Sequence, residues 1–129
     1  MAHTGSSGAE RRRHPRLEQS VPVKISSPDA DILTETVNLS CSGVFCRINK
    51  HMEPMTKLKI HLLLPVRRNN KLVTKKITCQ GVVVRSQSVP TQDYFDTAIF
   101  FSDINPRDSQ TIGEYVENVL EEKGRGKFN

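Results

Sequence analysis

Tryptophan is absent from this sequence, and only seven of its 129 residues are aromatic, five Phe and two Tyr. A barrel or sheet that binds single-stranded nucleic acid ordinarily stacks bases on aromatic platforms, and this chain has few to offer. Long apolar runs are missing too. The longest, Leu62 to Val66, has five residues including Pro65, whereas a membrane-spanning helix needs about twenty. The first twenty residues contain no apolar h-region, which excludes a Sec signal peptide of the usual form. The cysteines number three (Cys41, Cys46, Cys79). An odd count without paired spacing argues against a disulfide framework and for a reducing, cytoplasmic setting.

Catalytic signatures are equally scarce. The four histidines (His3, His14, His51, His61) and the cysteines form no C-x-x-C or H-x-x-x-H spacing of the kind a metal requires. No nucleophile elbow, P-loop or dinucleotide-binding fingerprint is present. The acids are scattered, with no pair placed for acid–base work. The sequence reads as a binding protein and not an enzyme, with no cofactor implied.

What the chain has is positive charge. Nineteen Lys and Arg against fourteen Asp and Glu give a net charge of +5. The excess is uneven. Arg11, Arg12, Arg13 and Arg16 fall within six positions, and Arg47 to Lys76 holds nine basic residues against the single acid Glu53. Glu114 to Glu122 carries four acids and no base. Such zones favour an anionic partner, although the longer stretch reads most simply as a solvated surface.

Residues 1–9 are small, polar and uncharged, a disordered leader, native or added, outside the fold. Residues 10–124 form a single domain: an arm over 10–20, strands over 21–104 and a helix over 105–123, with 125–129 as a tail. Period-two alternation dominates from Val21. Val21, Val23 and Ile25 share a face, as do Val44, Cys46 and Ile48, and Leu58, Ile60, Leu62 and Leu64. Ser27-Pro28-Asp29 marks a turn, and Arg67-Arg68-Asn69-Asn70 a hairpin turn, since Asn tolerates positive φ. Gly81, inside the long strand Lys71 to Ser86, signals a bulge or a close backbone approach. Tyr94 to Phe101 is the last strand, and its four aromatics read as core and loop packing. Asn105-Pro106 then offers an N-cap with proline at the first helical position. Ile112, Tyr115, Val116, Val119 and Leu120 follow at helical spacing, with Gly124 as the stop. The fold class is all-β with a C-terminal α-helix, six short antiparallel strands closing into a small barrel.

Two short motifs occur in order. Arg12-x-x-x-Arg16 precedes the first strand, and Pro15 biases His14 away from helix, so the segment is an extended or turning arm. Asn38-x-Ser40-x-x-Gly43 sits between two strands. Each alone is unremarkable, a basic tether and a β-turn. Together, about twenty residues apart, they are specific, and the combination resembles the PilZ domain, the bacterial receptor module for cyclic di-GMP. The resemblance runs from about Arg11 to Lys123, with weaker echoes in Gly81-Val82-Val83-Val84-Arg85 and Ala98-Ile99-Phe100-Phe101. Asn38 stands where the family often has Asp.

The resemblance implies a six-stranded PilZ-type barrel that binds cyclic di-GMP, closes its arm over the ligand and signals to a downstream protein partner, without membrane insertion and with nucleic acid an unlikely ligand. It assigns the ligand to Arg11, Arg12, Arg16, Asn38, Ser40 and Gly43, with Arg13 and Arg85 as outer contributors. Because Arg11 precedes the motif, it also implies two mutually intercalated ligand molecules per protomer. Two alternatives stand beside this reading: a PilZ-like protein-interaction adaptor without nucleotide binding, which would have lost the arginines, and a single-stranded RNA- or DNA-binding barrel.

Overall fold

The computed structural model describes residues 16–127, with side chains through 123. The alternating segments form six strands: β1 (Pro22–Ser26), β2 (Asp31–Ser40), β3 (Gly43–Ile48), β4 (Lys57–Arg68), β5 (Lys71–Ser88) and β6 (Phe95–Asp103), followed by the helix α1 (Pro106–Lys127). Every pairing is antiparallel, and the strands close in the order β1-β2-β3-β6-β5-β4. Closure comes from β1 against β4, where Val23 faces Leu62 and Ile25 faces Ile60. A closed ring leaves no long unpaired edge along its shared length, so a short chain can bury an apolar interior without exposing a strand ladder.

The interior is what the alternation dictates. Val23, Ile25, Cys46, Ile48, Ile60 and Leu62 are all buried, while Lys24, Arg47 and Lys59 between them are exposed. Leu17 and Val21, ahead of β1, belong to the same cluster, as do Ile112, Tyr115 and Val116 of α1. The Tyr115 hydroxyl accepts a hydrogen bond from Gln19 Nε2 at 2.9 Å. Thr36 is buried and satisfied, accepting from the Val21 N–H at 3.0 Å and donating to the Gln19 carbonyl at 2.7 Å. Among the described residues, no buried side-chain polar atom lacks a partner.

Local chemistry sets the ends of the elements. Asn69 and Asn70 adopt φ of 53° and 64°, the two left-handed positions of a tight hairpin turn. Arg67 and Arg68, expected in that turn, instead end β4, paired with Leu72 and Lys71. Two consecutive asparagines suffice to reverse the chain. The Asn105 side chain accepts from the Arg107 N–H at 2.7 Å, which caps α1 with Pro106 at its first position. The helix does not stop at Gly124 but continues to Lys127. Glycine ends a helix only where it turns left-handed; in helical geometry it costs about 1 kcal/mol and the helix passes through. Leu120, expected on the packed face, is 37% exposed. No described helix is long and apolar enough to cross a membrane.

Candidate functional site

A cavity of about 440 Å³ opens on the outer face of the barrel over β3 and β6, lined in part by Arg16, Asn38, Ser40, Gly43 and Arg85. Strand register builds it. Asn38 pairs with Phe45, Phe45 with Ala98, and Ala98 with Arg85, so one row across four strands runs from Asn38 to Arg85. A second row runs from Ser40 through Gly43 to Phe100. Residues forty or more positions apart in sequence thus share one floor.

Two bulges aim the polar groups outward. On β2 the register shifts between Thr36 and Asn38. Ile32 and Thr34 face Ile25 and Val23, and Thr36 is buried in step with them. Uninterrupted alternation would carry Asn38 and Ser40 inward as well. The extra residue, Val37, reverses the phase, so Leu39 is buried and Asn38 and Ser40 reach the cavity. On β5 a shift between Val83 and Arg85 leaves Val84 unpaired. Val84 and Arg85 consequently both line the cavity, although they are neighbours in sequence. The Arg85 guanidinium is steadied by Gln87 Oε1, at 2.6 Å from Nη2 and 3.2 Å from Nε.

The turn between β2 and β3 holds the remaining groups. Ser40 Oγ lies 3.0 Å from Ser42 Oγ and accepts from the Ser42 N–H at 3.2 Å. The Ser42 carbonyl in turn accepts from the Phe101 N–H at 2.9 Å, tying the turn to β6. Gly43 does not adopt positive φ, so the turn does not need glycine for a left-handed backbone. Its role is close approach: a Cβ at this position would collide with the Ile99 carbonyl oxygen.

Arg16 arrives by a backbone tether. Leu17, fully buried, exchanges hydrogen bonds with Leu39, N–H to carbonyl in both directions at 2.9 and 3.0 Å. This bridge fixes the end of the arm beside the strand that carries Asn38 and Ser40, and places Arg16 at the cavity. Arg11, Arg12 and Arg13 lie outside the described residues.

Among the described residues the lining holds two arginines and no acid, with hydrogen-bonding groups on Asn38, Ser40 and Ser42. Phe100 contributes an aromatic face that is half exposed. The combination suits an anion with flat, hydrogen-bonding rings. Among the described residues the lining holds no cysteine and no histidine. Burial pushes the Cys46 thiol up to about 12, and burial, aided by Asp108 and Asp103, pushes Cys79 up to about 11, so both are inert packing groups. Among the described residues no group of His, Cys, Asp and Glu is arranged to hold a metal ion.

Sequence comparison agrees with this geometry. The PilZ domain profile matches residues 10–118. The chain belongs to the PilZ family. PilZ domains are ligand-binding and adaptor modules and the family is one of cyclic di-GMP receptors. In fold the chain is similar to the Bacillus subtilis inhibitor of motility MotI (DgrA), with a TM-score of 0.77 and 23% identity over 88% of this chain and 53% of that one. It thus spans about half the length of MotI. It is also similar to the PilZ domain of YcgR from Escherichia coli, solved with c-di-GMP (TM-score 0.57, 12% identity, covering 91% of this chain and 96% of that chain). The PilZ domain of CeSA from a cellulose-synthesizing bacterium gives a TM-score of 0.55 at 13% identity, covering 81% and 97%. No curated protein sequence matches significantly.

Of the residues expected from the PilZ motifs, Arg16, Asn38, Ser40, Gly43 and Arg85 are brought together at one cavity. Sequence reasoning missed Ser42, Phe45, Val84 and Phe100, which line it too. Phe100 is a correction, since the aromatics of the last strand were expected to pack. Phe101 does, at 4% exposed, but Phe100 is 50% exposed. On a strand neighbouring residues face opposite ways, and with Ile99 and Phe101 inside, Phe100 must be outside. That signal was available in the alternation.

Proposed function

We propose that this protein is a cytoplasmic cyclic di-GMP receptor that signals to a protein partner. The observation that supports this most directly is the cross-strand row from Asn38 to Arg85, with Arg16 tethered beside it. Cyclic di-GMP is a dianion with two guanines. Arginine's planar fork donates in pairs to guanine O6 and N7 or to phosphate oxygens. Asn38 and Ser40 hydrogen-bond guanine edges, and Phe100 offers a face for a purine. The cavity volume lies within the range usual for small-molecule sites, about 300–1,000 Å³.

In this reading Arg11, Arg12 and Arg13 arrive with the part of the arm (residues 10–20) ahead of Leu17, and their like charges repel one another until a dianion neutralises them. Leu17 is the hinge post, because its backbone bridge to Leu39 holds the arm at one end. Arm closure is the signal the partner reads. Amide exchange on the residues before Leu17 should slow on ligand addition; equal exchange with and without ligand would remove the switch.

Calorimetric titration of cyclic di-GMP, with the linear dinucleotide and GTP as controls, tests the reading. Each charge-assisted hydrogen bond contributes about 1.5–3 kcal/mol. Arg12→Ala and Arg16→Ala should therefore weaken binding roughly ten- to hundredfold with the fold intact. Asn38→Ala and Ser40→Ala should be milder, at about 0.5–1.5 kcal/mol. We assign two intercalated ligands per protomer, because Arg11 adds a cation where four phosphates would meet. The titration should give about two per chain, falling toward one in Arg11→Leu. A wild-type ratio near one would discard the second ligand and keep the receptor.

A further inference from the structure

The far side of the barrel carries a second surface, with a different chemistry. In the ring order β1 and β4 lie across from β6 and β3, so their outer faces point away from the cavity. From Lys57 to Gln92 the chain holds eight basic residues and no acid. Register gathers several of them. Leu33, Lys24, His61 and Thr78 form one row across β2, β1, β4 and β5. Further along, Leu63 pairs with Lys76 and Arg67 with Leu72. Their strand neighbours Val23, Ile25, Ile60, Leu62 and Ile77 are buried, so by alternation Lys24, Lys59, Leu63 and Lys76 share the outer face.

The same face exposes aliphatic surface that the fold leaves uncovered. Leu72 is 66% exposed and Leu63 40%, and Leu33 of β2, 79% exposed, borders the face beside Lys24. β4 and β5 also outrun the ring, because β1 pairs β4 only as far as Leu62 and β5 meets β6 only from Gln80. Beyond the ring the two strands continue as a ribbon: Leu64 is still fully buried and Val66 packs on the core, and from Arg67 to Thr74 the ribbon is exposed, carrying Arg67, Arg68 and Lys71, with Lys75 and Lys76 at its base. The strands of this face carry two acids, Asp31 and Glu35 of β2, and Asp31 is already met by Lys24 Nζ at 3.5 Å. His61 feels the surplus: partial burial and the charges of Lys76, Lys24 and Lys59 lower its pKa.

Leucines interleaved with lysine and arginine are the residue pair suited to a lipid interface. Aliphatic groups enter the acyl boundary while cations remain at the phosphates. Nucleic acid would use the cations and leave the leucines idle. We propose that this face, led by the projecting β4–β5 ribbon, docks the protein onto a bilayer surface rich in anionic phospholipid. Leu63 and Leu72 sit in the headgroup region, and Lys24, Lys59, Lys76 and Arg67 pair with lipid phosphates. The cavity, on the opposite side of the ring, stays open to solvent in the docked protein.

Vesicle co-flotation tests this with the full chain. Phosphatidylcholine vesicles containing phosphatidylglycerol should carry the protein, and pure phosphatidylcholine vesicles should not. A juxtamembrane basic residue changes affinity about fivefold, so Lys59→Gln with Lys76→Gln should weaken binding about thirtyfold. Leu63→Ser with Leu72→Ser should remove the part of the binding that survives high salt. All four side chains are exposed, and circular dichroism should show both variants folded. No flotation with anionic vesicles, or flotation unchanged in both variants, overturns the proposal. So does a gel shift of DNA or RNA that the lysine variant abolishes in the absence of vesicle binding. Cyclic di-GMP titration reports separately on the cavity, so failure of one reading is distinguishable from failure of the other.

Discussion

Phe100 and Phe101 are chemically identical neighbours with opposite duties. Phe101 is 4% exposed and packs in the core, while Phe100 is 50% exposed over the cavity. Truncating them should separate stability from binding. Phe101→Ala should cost about 3–5 kcal/mol of stability. Phe100→Ala should stay within about 0.5 kcal/mol of wild type but weaken cyclic di-GMP by about 1–3 kcal/mol, the worth of one base stacked on an aromatic ring. Urea unfolding and calorimetry on the same two variants decide it. A Phe100→Ala protein that unfolds early and binds normally would return Phe100 to the core.

Among the elements, bulges do for β2 and β5 what substitution could not. One extra residue changes the phase of everything after it, which is why Asn38 and Ser40 lie on the cavity side, Ser40 buried at its floor, and Leu39 faces inward. Gly81 sits at the other irregularity of β5, where its register against β6 shifts, and an added Cβ would press on the Ile99 side chain at 2.7 Å. Gly113 in α1 is a different case. A Cβ on Gly113 would meet nothing within 4 Å, so the residue contributes only the entropic cost of an unconstrained backbone. Gly113→Ala should stabilise the protein by about 0.8–1 kcal/mol, read as a rise in thermal midpoint with ligand affinity unchanged. A fall in midpoint would mean that α1 uses Gly113 for a contact.

At the scale of the whole molecule, burying thiols couples stability to alkaline pH. Cys46 is raised to about 12 and Cys79 to about 11 in the folded protein, chiefly by burial, against an ordinary value of 9.0. Above pH 9 the unfolded chain releases thiol protons that the native chain retains. Stability is therefore fully present below pH 9 and is lost as pH rises toward 11 to 12. At pH 10 the decline should be about 1.4 kcal/mol per thiol. Urea midpoints under reducing conditions at pH 8 and pH 10 measure it, and Cys46→Ala should show about half the decline. An equal decline in that variant would assign the effect to other groups.

The sequence by itself determined the elements and their inward faces, because period-two and helical spacing of apolar residues are local properties of the chain. It also held the motif residues, and Asn69-Asn70 and Asn105-Pro106 carried their turn and cap chemistry within a few positions. The helix end at Gly124 was misjudged, since a glycine's effect depends on a φ that composition does not record. What only the tertiary structure decided was assembly. The row from Asn38 to Arg85 depends on four strands pairing in one register. The phase of Asn38 depends on a bulge at Val37, which carries no glycine to announce it. The basic face of β1 and β4 parted from the cavity only when the ring closed. Register and closure are long-range contacts, set by how the whole interior packs.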